Sequence, residues 1–166
     1  HTLRDTYKAD EVVLLVANDA YCGLAWLMTT VSNAFNTKAF AMVNWDCATG
    51  YYSFGHELGH NMGADHDWYV AASKDSPYTY NKGYVNPGAT TATRWRTIMA
   101  YDDECVARGF NCTRIQYWST PLRTYGGIKM GVASGTTSTC TTGSLTNPNC
   151  DADNRRVLNN TAYTVA

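Results

Sequence analysis

Three of the four histidines in this chain fall close together, as His56-Glu57-Leu58-Gly59-His60 followed by Gly63 and His66. This spacing restricts the fold more than any other feature. Residues four apart share one face of a helix, about 6 Å apart along its axis. The imidazoles of His56 and His60 can therefore converge on one Zn²⁺ at ~2.0–2.1 Å. Glu57 follows the first ligand directly, so it flanks the ion without binding it and can take a proton from a metal-bound water. On an unbroken helix His66 would lie well round the cylinder and out of reach. Gly63 removes that obstacle, because glycine adopts the left-handed conformation that ends helices. The chain can turn there and return His66 as a third ligand. Three imidazoles plus water form an open catalytic site, whereas closed structural sites use four protein ligands. A bare five-residue match also arises on ordinary polar helix faces; Gly63 and His66 separate this chain from those.

The 166 residues suit one domain. Charged residues make up 16% and aromatics 13%, which excludes an intrinsically disordered chain. Thirteen basic residues against fourteen acidic give a net charge of −1, so the basic field of a nucleic-acid binder is absent. The longest strongly apolar run, Val12 to Ala17, is too short to span a bilayer. With no signal peptide and no initiator Met, His1 reads as a processed or cut end.

Along the chain, Asp5 to Asp10 reads as the end of a short polar helix. Glu11 to Ala17 (EVVLLVA) is a continuous apolar run suited to a buried central strand. Asn18-Asp19 is a turn signal. Leu24 to Thr30 and Phe40 to Trp45 are two further strand candidates. Tyr51 to Asn61 fits a helix with Thr49 as N-cap. Asp65 to Arg94 is mostly turn residues, and a loop that long tends to be functional or pinned. Gly131 to Asn149 is rich in Thr, Ser and Gly. Asp153 to Val165 reads as an amphipathic helix burying Val157, Leu158, Ala162 and Val165.

Six cysteines without a CxxC spacing read as three disulfides in an oxidising compartment rather than as a thiolate metal site. Fifteen pairings are possible; nearest-neighbour pairing gives Cys22–Cys47, Cys105–Cys112 and Cys140–Cys150. The first would join the start of the second strand to the end of the third, which suits antiparallel neighbours.

The segment from His56 to Asp67 (HELGHNMGADHD) resembles the zinc signature of the metzincin metalloproteases, with Asp67 after the third histidine resembling the adamalysin (reprolysin) branch. Thr97-Ile98-Met99-Ala100-Tyr101 is similar to the metzincin Met-turn. Among metzincins the chain most resembles the secreted microbial peptidyl-Asp metallopeptidases, in Cys47 to Asp67, Trp95 to Asp102 and Asn154 to Ala166. The resemblance implies a zincin fold of the α+β class, with an α/β-type N-terminal half. A small twisted mixed sheet and an active-site helix (residues 1–63) would sit above an irregular C-terminal subdomain (64–166) that carries the Met-turn and ends in a helix. Met99 would form an apolar floor beneath the zinc-binding imidazoles. The family also implies a strand, helix and strand ahead of the segment matching His1 onward, without counterpart here. The sheet then has three strands from this chain: either the chain is a fragment, or a separate N-terminal segment or prodomain completes the sheet as a partner, or this is a reduced variant.

The same resemblance implies a secreted, extracellular zinc endopeptidase, otherwise a monomer, acting on peptide or protein substrates. Zn²⁺ would be held by His56, His60 and His66, with Glu57 as general base. Astacin- and serralysin-type members place a zinc-contacting tyrosine two residues past the Met, and typical adamalysins do not; Tyr101 stands there as a possible switch ligand or oxyanion donor. Gly23, Leu24, Ala25 and Trp26 match the edge strand that runs antiparallel to substrate, unless Leu24 and Trp26 are core residues. The pocket wall falls near Tyr117 to Lys129, and an acidic preference would need a cation there: Arg114, Arg123 or Lys129. Ca²⁺ could bind Asp65, Asp67 and Asp75, or Asp102, Asp103 and Glu104, but neither group has EF-hand spacing. Asp67 could instead hold the turn after His66. Two other readings stand beside this one: a non-catalytic binding protein on the same scaffold, and a zinc hydrolase of non-peptide amides.

Overall fold

The computed structural model describes residues 1–17, 20–71, 76–135, 140–141, 143–144 and 150–165. The Asn18-Asp19 turn, Asp75 and much of the Thr/Ser/Gly-rich stretch up to Asn149 lie outside the described residues. The chain forms a mixed α and β structure with small sheets.

A short helix α1 (Thr2–Tyr7) ends where Lys8 turns left-handed. Three strands follow: β1 (Val12–Val16), β2 (Gly23–Ala25) and β3 (Phe40–Asn44). They form one sheet in the order β1-β3-β2, with β1 parallel and β2 antiparallel to β3. The central strand is therefore β3, not the apolar run of β1. Leu14 and Leu15 of β1 are exposed, whereas β3 buries Ala41 and Val43. Hydrophobicity alone does not set strand order; β3 is central because both neighbours pair with it. The second strand is also shorter than its apolar pattern suggests. After Ala25 the backbone leaves the ladder, the Trp26 carbonyl accepts from Asn61 Nδ2 at 2.8 Å, and Met28 N–H donates to the His60 carbonyl at 3.0 Å.

A single turn α2 (Trp45–Ala48) leads into α3 (Ser53–Asn61), which carries the first two histidines. Thr49 does not cap α3. It closes α2, and Tyr52 at φ 58° is the residue preceding α3. The two short helices leave no extended residue at Thr49 for a side-chain cap, so the reversal falls on a left-handed Tyr52. At the other end Gly63, φ 87°, completes a Schellman-type stop. Ala64 N–H donates to the Gly59 carbonyl at 2.8 Å and Gly63 N–H to that of His60 at 2.9 Å.

Beyond Gly63 the backbone is mostly irregular. β4 (Val85–Asn86), β5 (Trp95–Arg96), α4 (Asp103–Ala107) and β6 (Thr113–Arg114) precede a hairpin of β7 (Thr120–Tyr125) and β8 (Ile128–Met130). The helix α5 (Asn154–Val165) ends the chain, burying Val157 and Thr161. Buried polar groups pin the long loop after Gly63. Asn81 Nδ2 donates to the carbonyls of Gly63 and Ser76, Asn154 Nδ2 to that of Asn81, and Trp68 Nε1 to that of Asp151, all at 2.7–2.9 Å. The disulfides are Cys22–Cys47, Cys105–Cys112 and Cys140–Cys150, the nearest-neighbour set. No described helix is long and apolar enough to cross a membrane.

Candidate metal centre

The helix α3 places His56 and His60 on one face, and the turn at Gly63 brings His66 against them. His66 Nε2 lies 3.2 Å from His56 Nε2 and 3.0 Å from His60 Nε2. The Nδ1 atoms point away. His56 Nδ1–H donates to the Ile98 carbonyl and His60 Nδ1–H to the Ala64 carbonyl, both at 2.9 Å. A carbonyl can only accept, so both rings carry their proton on Nδ1 and turn an Nε2 lone pair inward. Burial depresses the basicity of all three; neighbouring imidazoles reinforce this at His56 and His66, Asp65 opposes it at His60, and His66 is lowered to about 3.

The inward lone pairs of His56 and His60, with His66 Nε2 beside both, suit a cation between them. Three nitrogens at ~2.0–2.1 Å from a tetrahedral ion would stand about 3.3 Å apart, close to the spacings here. The donor set therefore fits zinc. A second cluster, Asp102 with Cys105 and Cys112, offers no thiolate because both sulfurs are in a disulfide.

Glu57 sits on the same helix turn, buried against the edge strand. A Cβ built on Gly23 would fall 2.3 Å from Glu57 Oε1, so only glycine lets the carboxylate lie there. Burial pushes the Glu57 carboxyl up to about 7, opposed by the positive charge of Arg114. Gly23, Leu24, Ala25, Leu27, Glu57, Tyr101 and the three histidines line one cleft. Cys22 O accepts from Asn44 N at 2.9 Å. By the alternation of an antiparallel ladder, the backbone groups of Gly23 and Ala25 then face the open edge of the sheet. Leu24 and Trp26 are exposed rather than core residues. Both line an apolar groove with Val12, Leu14, Phe40 and Met42, and Trp26 does not line the histidine cleft.

Met99 is fully buried, packed with Ala64 and Ile98. It lies against the middle of α3: a Cβ on Gly59 would sit 2.7 Å from Met99 Sδ and 2.8 Å from the Trp118 ring. The Tyr101 ring lies over His66 at a centroid distance of 4.1 Å. Burial, then Glu57, raise the Tyr101 phenol, so it stays protonated and able to donate. Asp67 is fully buried, accepting from Tyr69 N and Tyr101 N. Burial pushes its carboxyl up to about 6 against these two donors.

Of the carboxylates considered for Ca²⁺, Asp65 pairs with Lys82 at 2.9 Å, and Asp102 accepts from Cys112 N at 2.7 Å. Sequence reasoning missed Lys82, a fully buried lysine; seventeen residues separate it from Asp65, a spacing that belongs to no local motif. It also missed Asn61. An amide at the end of a helix reads as a weak helix former, yet this one ties α3 to Trp26 O, at the end of β2.

A reprolysin-type model of metallo-peptidase family M12 matches residues 1–119. A peptidyl-Asp metalloendopeptidase of Stenotrophomonas maltophilia (strain K279a) is 48% identical over the whole chain, and one of Xanthomonas campestris pv. campestris is 43% identical. The chain spans about a third of the length of each. A Pseudomonas fragi relative of the same printed name is 37% identical over 136 residues, 81% of this chain and 71% of its own length. A solved structure titled "Structure of a chaperone-substrate complex" shares the fold, with a TM-score of 0.55 at 18% identity over 99% of this chain and 21% of the other. The glycine-ended histidine helix and these matches agree: the chain belongs to metallo-peptidase family M12.

Proposed function

We propose that the chain is the catalytic part of a secreted zinc endopeptidase. His56, His60 and His66 would hold the ion, and the convergence of their Nε2 atoms beside Glu57 carries this reading. Zinc, when bound, supplies the Lewis acidity that lowers the pKa of water and polarises a carbonyl. Glu57 acts as general base, taking a proton from the attacking water and delivering it to the leaving amine nitrogen. A carboxyl raised to about 7 is matched to both transfers near neutral pH. The Tyr101 phenol donates to the oxygen that gains charge at the scissile carbonyl. Met99 supports the histidine helix from below.

The cleft between residues 1–63 and 64–166 takes the peptide as an added strand, antiparallel to Gly23–Ala25 and bonded to its open edge. The names of the relatives carry Asp, which supports an acidic residue beside the bond cut. Three disulfides suit an oxidising, extracellular setting. The buried, poised Glu57 favours catalysis over a binding-only scaffold.

The test compares wild type with Glu57→Gln on an unfolded protein substrate, with bound zinc measured in both. Equal zinc and a loss of cleavage by about 10²–10⁴-fold are expected from removing a general base. Equal cleavage overturns the mechanism. Cleavage by neither, with zinc bound, indicates the binding protein.

A further inference from the structure

Arg114 is a half-buried cation whose charge, among the described residues, no carboxylate neutralises directly. Two of its five N–H donors reach backbone carbonyls, Tyr51 O at 3.0 Å and Ala100 O at 3.3 Å. Its Nε is buried without a partner. Among the described residues, no carboxylate lies within 4 Å of it. The two buried cations of the described residues are each paired: Lys82 with Asp65 at 2.9 Å, Arg96 with Asp102 at 3.6 Å. Arg96 Nη1 also donates to Ala100 O at 2.6 Å, so two guanidinium groups meet at one carbonyl. Taking even part of a guanidinium out of water is costly unless an opposite charge compensates. Burial and Arg96 lower its pKa only to about 10, which leaves it cationic at neutral pH.

The place of this charge is specific. Arg114 lines a cavity of about 300 Å³ together with Cys22, Gly23, Ser53, Glu57 and Tyr101. The acidic groups around it are engaged elsewhere or face water. Asp102 is taken by Cys112 N and Arg96, Asp103 at the rim is exposed, and Glu57 lies against Gly23 as the base. Direction follows from the edge strand. A peptide antiparallel to β2 runs from Ala25 towards Gly23 and Cys22, so its residues after the scissile bond pass the Cys22 end, where this cavity opens. The other two cations considered for an acidic substrate stand apart. Arg123 and Lys129 are exposed on the β7–β8 hairpin, and Arg123 lines a separate cavity with Tyr117, Trp118 and Arg155.

We propose that Arg114 is the specificity-determining residue of this site, binding the carboxylate of the side chain that follows the scissile bond. The proposal rests on the endopeptidase reading above and adds the residue that selects the substrate. The carboxylate would meet a guanidinium held in place by two backbone carbonyls, with its remaining N–H groups able to donate.

The test uses two peptides that differ only in Asp or Asn after the scissile bond. Their kcat/KM ratio is measured for wild type, Arg114→Met, Arg114→Lys and Arg123→Gln, with zinc content and thermal midpoint recorded for each. Binding of both peptides is measured by fluorescence anisotropy in the Glu57→Gln background, with and without Arg114→Met. Wild type is expected to favour Asp by at least about tenfold, the scale of losing one partner of a buried charge pair. Arg114→Met brings the ratio close to one, Arg114→Lys leaves an intermediate value, and Arg123→Gln keeps the wild-type ratio. A folded, zinc-loaded Arg114→Met that keeps the wild-type ratio overturns the proposal. If Arg114→Met does not fold, an unchanged ratio in Arg114→Lys overturns it instead. Cleavage of both peptides equally by wild type overturns the role of Arg114 and leaves the endopeptidase reading standing. Absence of any cleavage overturns that reading, and the anisotropy pair then decides Arg114: tighter binding of the Asp peptide, lost in Arg114→Met, supports it, and equal binding overturns it.

Discussion

The Asp67 carboxylate accepts a hydrogen bond from the Tyr101 backbone N–H at 2.8 Å, joining the residue after the third histidine to the residue two past Met99. Its other oxygen accepts from Tyr69 N at 3.0 Å. One buried side chain thus sets the position of His66 and of the Tyr101 ring above it. Replacing Asp67 by Ala strands both N–H groups in a dry environment, at about 1–3 kcal/mol for each unsatisfied donor. Denaturant unfolding of Asp67→Ala should show a loss of about 2–6 kcal/mol by the same scale, together with weaker zinc retention. Asp67→Asn keeps one acceptor and should lose less. Equal stability of Asp67→Ala and wild type would remove this tie from the account.

Gly59 lies between the two helical histidines because Met99 and Trp118 occupy the space of a side chain there. Gly59→Ala gains helix propensity, about 1 kcal/mol in favour. It also forces a methyl group into the Met99 sulfur and the Trp118 ring, and overpacking of this kind costs about 1–3 kcal/mol. The expected net result is a lower thermal midpoint and reduced zinc affinity, checked by calorimetry and a competitive chelator titration. A raised midpoint with unchanged affinity would show that Met99 and Trp118 move aside freely.

In the zinc-free protein the contribution of His66 to stability should fall as pH falls. His66 has its folded-state pKa lowered to about 3, against about 6.5 in an unfolded chain. Between these values the unfolded chain binds more protons than the folded one, so protonation favours unfolding. In urea unfolding, the stability of zinc-free wild type minus that of zinc-free His66→Gln should fall as pH drops from 7.5 towards 5. A difference independent of pH would contradict a neutral, buried His66.

Glu11 has the opposite sign. Burial, then Asp10, raise its carboxyl to about 7, and its Oε1 is buried without a partner. Between its unfolded value of about 4.3 and 7 the folded state holds the proton more tightly, so this contribution is lost as pH rises. The stability of wild type minus that of Glu11→Gln should decline across that window and level off above it. Paired unfolding curves at pH 5 and pH 8 test this; an unchanged difference would place the Glu11 carboxyl in water.

Local rules made much of this site legible. The i, i+4 pair, the glycine stop and the three disulfide pairings depend on short spacings, and the structure has all of them. The reading of β1 as the central strand failed because Val12 to Val16 is equally apolar on both faces, and only pairing decides which strand is flanked. The Thr49 cap failed because a separate turn, α2, occupies the residues before Tyr52. Lys82 and Arg114 carried no local signal: a charged residue is expected in water until the fold shows it buried, as Lys82 is, or half-buried, as Arg114 is.

The sequence by itself determined that three imidazoles and one carboxylate can meet. Helix pitch and the left-handed freedom of Gly63 are properties of neighbouring residues. Tertiary structure alone decided what surrounds them: Gly23 making room for Glu57, Met99 and Trp118 pressed on Gly59, Asp67 holding Tyr101, and Arg114 at the Cys22 end of the cleft. Each of these relations joins residues far apart in the chain, and burial and pairing of charge exist only once the chain has closed around them.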